Sequence, residues 1–485
     1  MKLIKKIAAI MFAFMMVVSM STNVKAETTE KGSIKIENAI DGKTYSIYQI
    51  LELESYDKDN NHYSYKPASE QWKAFLNTTE AQNYVSINGA GYVTWKNGVD
   101  NSKAAEFAKL ALSYAEDSTH NISPTQDPVK ANGNPIEFKS LNLGYYLVGS
   151  SAGALCGLDT TNPDVNIREK NGVPTVDKLV SNIENGTYSN KNHANIGDKV
   201  YFKTTITAQP GAQNYVLHDK MDSGLTLNSN ITVKKGDTVL TENQEYKLVE
   251  TRNDGCTFEI KFEEKFLNTL GENDKITVTY SATLNSSAVV GNNGNINTTF
   301  LKYGNDNSVD SKTTTYTWKI PVFKYTMKNT QKEPLANATF SLFETETGND
   351  PIRFVKEVGK EEVYRKPAAN ESANTTEITT TSTGEFSLEG LKPGTYYLEE
   401  TAAPKGYNKL IKRITVVLND DGTLTVDGKT EIENQKIVKV EVENNTGSLL
   451  PSTGGIGTTL IYLVGAALVL GSGIVLATKK NAKAK

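Results

Sequence analysis

Three residue types stand in this chain where a soluble β protein does not ordinarily put them. Lysine, asparagine and a carboxylic acid each fall into rows of aliphatic and aromatic residues spaced two apart. Val176, Lys178 and Val180 make one such row, Ile320, Val322 and Lys324 another, and Val438, Val440, Val442 and Asn444 a third. Tyr215, Leu217, Asp219 and Met221 align in the same way, as do Tyr396, Leu398 and Glu400, while Asn297 shares parity with Leu301 and Tyr303. Side chains two apart on a strand share a face, so each polar group is aimed at a core. Two stretches therefore offer one inward lysine near the start, one inward acid between, and one inward asparagine near the end. Lys178 to Asn297 spans 119 residues and Lys324 to Asn444 spans 120.

That pairing predicts an intramolecular Lys–Asn isopeptide bond tying the first strand of a domain to its last. Burial lowers a lysine pKa and raises that of a carboxyl, so the amine can be neutral and the acid protonated. The amine then attacks the asparagine side-chain carbonyl, the acid polarises that carbonyl and relays protons, and ammonia leaves. Lys178, Asn297, Lys324 and Asn444 are the expected crosslinking residues, with Asp219 and Glu400 assisting. Parity alone leaves a buried Lys–Asp or Lys–Glu ion pair equally open, because a slip of one residue reverses every face.

Strands must hold these groups, and the pattern supplies them. Ile276, Val278, Tyr280, Ala282 and Leu284 alternate with Thr277, Thr279, Ser281 and Thr283, as in a half-buried strand. Asn419-Asp420-Asp421-Gly422 and Asp427-Gly428 read as hairpin turns, and 364–383, rich in Ser, Thr, Asn and Glu, reads as an exposed loop. The clear exception is Lys103 to Asp117, where Ala104, Phe107, Ala108, Ala111, Leu112 and Ala115 recur at helical spacing. At 485 residues the chain is too long for one core. The expected architecture is mainly β, with two tandem immunoglobulin-like β-sandwich domains (172–318 and 319–447) behind an α+β N-terminal domain (27–171).

Composition excludes several functions. The chain has 52 basic and 56 acidic side chains. Four of the lysines lie in residues 1–26 and four follow Thr453, and 52 less these eight leaves 44 basic against 56 acidic groups, a net −12. Such a body is unsuited to nucleic acid. Two cysteines, Cys156 and Cys256, fall in different expected domains, so no disulfide is expected between them. His62, His120, His193 and His218 sit in no metal or nucleophile motif, so the expectation is no metal, no cofactor and no enzyme active site.

The two ends differ from the body. Lys2, Lys5 and Lys6 precede an apolar run from Ile7 to Met20, and Val24-Lys25-Ala26 follows, as in a secretory signal over 1–26. At the other end, within 448–485, Leu450-Pro451-Ser452-Thr453-Gly454 comes before 22 uncharged residues from Ile456 to Ala477 and then Lys479, Lys480, Lys483 and Lys485. That run is long enough to span a bilayer as a transmembrane helix with a cytoplasmic basic stop. The order resembles the sortase sorting signal (LPXTG) of Gram-positive surface proteins. The resemblance implies cleavage after Thr453 and transfer of its carbonyl to an amine.

Further motifs carry a family resemblance over essentially the whole chain. The run Tyr396-Tyr397-Leu398-Glu399-Glu400-Thr401-Ala402-Ala403-Pro404-Lys405-Gly406-Tyr407 resembles the E-box of pilins, with Glu400 in place of its glutamate. Pro334-Leu335-Ala336-Asn337-Ala338-Thr339-Phe340-Ser341-Leu342 resembles the opening of a collagen-adhesin B-type (Cna-B) domain, with Lys324 as its bond-forming lysine. Val176-Asp177-Lys178, Leu217-His218-Asp219 and Asn297-Thr298-Thr299 are similar to positions in the preceding domain of streptococcal-type backbone pilins. The whole resembles the major (backbone, or shaft) subunit of a sortase-assembled Gram-positive pilus. The resemblance implies a secreted, wall-anchored fimbrial protein for adhesion. Its implied partners are sortase, further copies of itself, minor pilins and peptidoglycan, with room for host surface ligands. It also implies a polymerising lysine near the end of the first domain. The family's Tyr-Pro-Lys-Asn is absent, and Ile167-Arg168-Glu169-Lys170-Asn171 keeps only the Lys-Asn, which points to Lys170. The alternative is a monomeric wall-anchored adhesin of the collagen-binding type.

Overall fold

The computed structural model describes residues 31–447 except 58–61, 134, 151–152, 159–163, 169–171, 210–212, 250–253, 361 and 433–434, together with 463–470 and 472. The first part of the chain builds two small sheets. Strand β1 (Gly32–Glu37) lies between Asp164–Arg168, parallel to it, and Ile136–Leu141, antiparallel. Strand β2 (Thr44–Asp57) pairs with β3 (Gly144–Ser150) in a five-stranded sheet. Two helices cover that sheet, where the sequence pattern showed one. Helix α1 (Glu70–Leu76) starts where Ser69 Oγ accepts from Trp72 N at 3.2 Å, and it buries Trp72, Phe75 and Leu76. Helix α2 (Asn101–Glu116) begins two residues before the expected Lys103, because Asp100 caps it by accepting from Lys103 N at 3.0 Å. Phe107, Ala108, Ala111 and Leu112 pack with Ile50, Leu51 and Leu147 of the sheet.

Next come two facing sheets. In the first, β4 (Thr175–Ser181) pairs with β5 (Lys199–Thr207), and β5 pairs with β8 (Lys275–Leu284). In the second, β6 (Val216–Met221) is flanked by β7 (Phe258–Phe262) and β9 (Asn295–Tyr303), and β9 is flanked by β10 (Ser311–Tyr316). After exposed Lys199, strand β5 alternates between buried and half-buried residues, as a sheet with one dry face requires. Only the first half of β8 is half-buried. Its second half is covered on both faces, so Ser281 and Thr283 are buried as well as Ala282 and Leu284.

Only Thr317 separates β10 from β11 (Trp318–Lys328), which opens a second sandwich. Strand β11 pairs antiparallel with β13 (Glu385–Leu391) and parallel with β15 (Val440–Glu443). The facing sheet holds β12 (Thr339–Phe343) and β14 (Gly394–Ala402), followed by Ile414–Leu418 and Leu424–Val426. Asn419–Gly422 forms the expected hairpin turn between the last two. The molecule is thus mainly β, with tandem sandwiches behind an α+β N-terminal part.

Two expectations about faces fail here. Val438 lies two residues before β15 and is 63% exposed, so the inward row starts at Val440. The 364–383 segment is irregular for most of its length, as expected, but it is not exposed throughout. Ile378 pairs opposite Phe340 and is fully buried, and Thr380 Oγ1 donates to Leu335 O at 2.8 Å. Arg365 Nη2 holds Glu371 Oε1 at 2.7 Å, and Ala368 packs against the core of the preceding sandwich. Composition could not reveal this, because a threonine hydroxyl can bond a buried backbone group as readily as it faces solvent.

Candidate functional site

In the first sandwich the inward polar residues meet. Asp219 on β6 and Asn297 on β9 are diagonal neighbours of one antiparallel pair, with Met221 opposite Asn297 and Thr299 opposite Asp219. Lys178 reaches them from β4 in the facing sheet. Its Nζ contacts Asp219 Oδ2 and the hydroxyl of Tyr280. Tyr280, on β8, also donates to Asp219 and accepts from Asn297 Nδ2 at 3.1 Å. Lys178, Asp219 and Asn297 are 1%, 0% and 0% exposed. Burial holds the Lys178 amine below its ordinary value, against the pull of Asp219. It pushes the Asp219 carboxyl and the Tyr280 phenol up.

Asn297 is not on the last strand of its sandwich, as the sequence reading expected. Strand β10 follows it, pairs beside it, and supplies Ser311, whose Oγ accepts from Lys178 N at 2.8 Å.

The second sandwich assembles the same three types differently. Lys324 on β11 is in register with Val442 on the parallel neighbour β15, and Asn444 follows just beyond. The acid comes from the facing sheet. Glu400 Oε1 lies 3.2 Å from Lys324 Nζ, and Oε2 accepts from Asn444 Nδ2 at 3.0 Å and from Leu410 N at 2.8 Å. Asn444 Nδ2 also donates to Asn408 O at 2.9 Å. The Lys324–Glu400 approach is close enough for an ion pair but is not aligned as a hydrogen bond, so Lys324 Nζ, Glu400 Oε1 and Asn444 Oδ1 have no hydrogen-bond partner among the described residues. Burial again lowers the lysine amine, with Glu400 opposing. Orphaned polar atoms in a dry core each cost about 1–3 kcal/mol, so this arrangement is held against its own energetics. A buried lysine amine held below its ordinary value beside a primary amide and a carboxyl has the parts needed for amide exchange.

Comparisons with known proteins bear on both sandwiches. Residues 196–307 match the family described as Gram-positive pilin backbone subunit 2, Cna-B-like domain, and residues 323–436 match the SpaA prealbumin-like fold domain. These two matches, which together span less than half of the chain, liken its sandwiches to domains of pilins. It is 24% identical over 393 residues to the trypsin-resistant surface T6 protein of Streptococcus pyogenes serotype M6, across 64% of this chain and 70% of that one. The three-domain T6 backbone pilin of serotype M6 Streptococcus pyogenes shares its fold at a TM-score of 0.50, with 16% identity, 87% of this chain covered and 95% of that one. The full-length major pilin SpaD of Corynebacterium diphtheriae aligns at a TM-score of 0.45, with 19% identity, covering 88% and 100%.

The matched pilin domains take in Asp219, Asn297, Lys324 and Glu400, while Lys178 lies ahead of the first match and Asn444 beyond the second. Lys170, Leu450, Pro451, Ser452, Thr453, Gly454 and the signal over 1–26 lie outside the described residues. Of the apolar run from Ile456 to Ala477, residues 463–470 and 472 are described, as helix. Among the described residues no helix is long and apolar enough to cross a membrane.

Sequence reading missed two features of the first pilin domain. Tyr280 shares the parity of Ile276 and Val278 and was read as core, whereas its hydroxyl touches all three polar groups. On the outer face of β6, His218 gathers Asp254, Cys256 and Glu259. Cys256 is a free thiol, 38 residues from His218, a separation that fits no ligand motif.

Proposed function

We propose that this chain is the structural shaft subunit of a covalently polymerised, cell-wall-anchored pilus, and that each of its two pilin domains closes a Lys–Asn isopeptide bond. The observation that carries the proposal is the repeated dry constellation of lysine, acid and asparagine in two domains of backbone-pilin type. The chemistry that this constellation supports is internal. In the first pilin domain the Lys178 Nζ lone pair attacks Cγ of Asn297, while protonated Asp219 donates to the developing oxyanion. The C–Nδ2 bond then breaks, the proton lost by the amine passes through the carboxyl to the leaving nitrogen, and ammonia departs. One C–N bond forms and one breaks, so no oxidant is needed. Lys324, Glu400 and Asn444 have the same parts. The bond also removes a buried amine that could ionise, together with its solvation cost.

Polymerisation uses the other set of residues. Sortase cleaves after Thr453 and passes its acyl group to Lys170 of another copy. The last copy goes to peptidoglycan, and minor pilins and host surfaces are the further partners. The relatives' names, a surface protein and backbone pilins, support this location and self-association. The test is a blot of wall extracts boiled in detergent. Wild type gives a ladder of covalent multimers and Lys170→Ala gives none. A single wall-linked species in the wild type would instead mark a monomeric adhesin.

A further inference from the structure

We propose that His218, Asp254, Cys256 and Glu259 form a binding site for one divalent transition-metal ion of the zinc class. The four side chains offer one nitrogen, one sulfur and two carboxylate oxygens, all within 4.8 Å of one another. From His218 Nδ1 the distances are 2.9 Å to Asp254 Oδ2, 3.6 Å to Glu259 Oε1 and 3.7 Å to Cys256 Sγ. A tetrahedral zinc ion with bonds of ~2.0–2.3 Å separates its ligand atoms by about 3.3–3.6 Å, and the three separations from His218 Nδ1 lie close to that range.

The imidazole is already aimed. It stacks on Phe300 at 4.5 Å between ring centroids and 5° between planes. Its Nε2 has no partner among the described residues, so the ring's polar contacts run through Nδ1 into the cluster. Glu259 is only 8% exposed, and a second carboxylate beside it favours a cation there. The mixed donor set, with one thiolate and one imidazole, favours zinc or cobalt over calcium or magnesium. On binding, the Cys256 S–H bond breaks, the proton goes to solvent and a metal–sulfur bond forms. No change of oxidation state is involved. The ion would fasten the segment before β7 to the strand that carries Asp219.

The test uses the full chain, kept reduced, stripped with a chelator and titrated with cobalt(II). The near-ultraviolet thiolate-to-cobalt absorption should saturate at one ion per chain and be displaced by zinc. Cys156→Ser should keep the band and Cys256→Ser should lose it. Asp254→Asn, a near-isosteric change on a side chain 43% exposed, should weaken cobalt binding tenfold or more. The absence of a saturable band in the wild type overturns the proposal, as does a band that survives Cys256→Ser or an unchanged affinity in Asp254→Asn.

Discussion

Asn444 stands just beyond the strand that runs parallel to the one carrying Lys324, and its N donates to Tyr325 O at 3.0 Å. Lys178 and Asn297 instead face each other across two sheets. A bond at the first position closes the sandwich between its entry and exit strands. A bond at the second leaves β10 outside the closed loop.

Tension on a shaft should therefore act differently on the two pilin domains. In the second, force passes from β11 through the bond to Asn444, and residues 325–443 are bypassed. In the first, the twenty residues 298–317 remain in the load path, held only by strand pairing. Single-molecule pulling should show at most one step from this domain, of no more than ~70 Å at ~3.3–3.6 Å per residue, and none from the second. A step corresponding to more than a hundred residues from either domain would contradict the account.

Asn444→Ala should lower the thermal midpoint and trypsin resistance of the second pilin domain. Closing a loop of 120 residues restricts the unfolded chain by ~4–5 kcal/mol on a disulfide-like entropy scale. Sortase should still process this variant, so the ladder persists but is mechanically weaker. Unchanged melting and proteolysis would mean that the bond contributes nothing.

Asp219→Ala and Glu400→Ala should each abolish only the crosslink of their own domain, read by peptide mapping. Each acid lies within contact distance of its own lysine alone. Loss of the Lys178–Asn297 crosslink in Glu400→Ala would contradict this independence.

The pH dependence of an unbonded variant has a definite sign. In Asn297→Ala the Lys178 amine stays free, and burial holds it below its ordinary 10.5. Between its folded value and 10.5 the unfolded chain binds more protons than the folded one, so stability rises with pH. Asp219, pushed up from 3.8 by burial, works the other way at lower pH, where stability falls as pH rises. On this account the wild type carries an amide there instead, which would not titrate. The gap in thermal midpoint between wild type and Asn297→Ala should thus narrow as pH rises from neutral toward 10.5. A constant or widening gap would show that Lys178 stays ionised in the fold.

The six polar residues of the two constellations were legible because strands alternate and each sits among residues that must be buried. Their strand order was not. Parity gives the face of Asn297 but not its neighbour, and β10 follows it in sequence and lies beside it in space. Val438 shows the limit of the same rule, since parity holds only within a strand and β15 begins at Val440. Tyr280 was hidden by its own amphipathic character, an aromatic ring fit for the core that carries a hydroxyl into the polar cluster. His218 and Cys256 come together through the pairing of β6 with β7, a long-range contact that sequence spacing does not encode.

The most direct test of the central claim is the intact mass of the folded protein, followed by mapping of its crosslinked peptides. Two self-formed bonds make the chain lighter by two ammonia, with Lys178 joined to Asn297 and Lys324 to Asn444. Lys178→Ala and Lys324→Ala should each restore one ammonia. A wild-type mass equal to that of the unmodified chain would contradict the account.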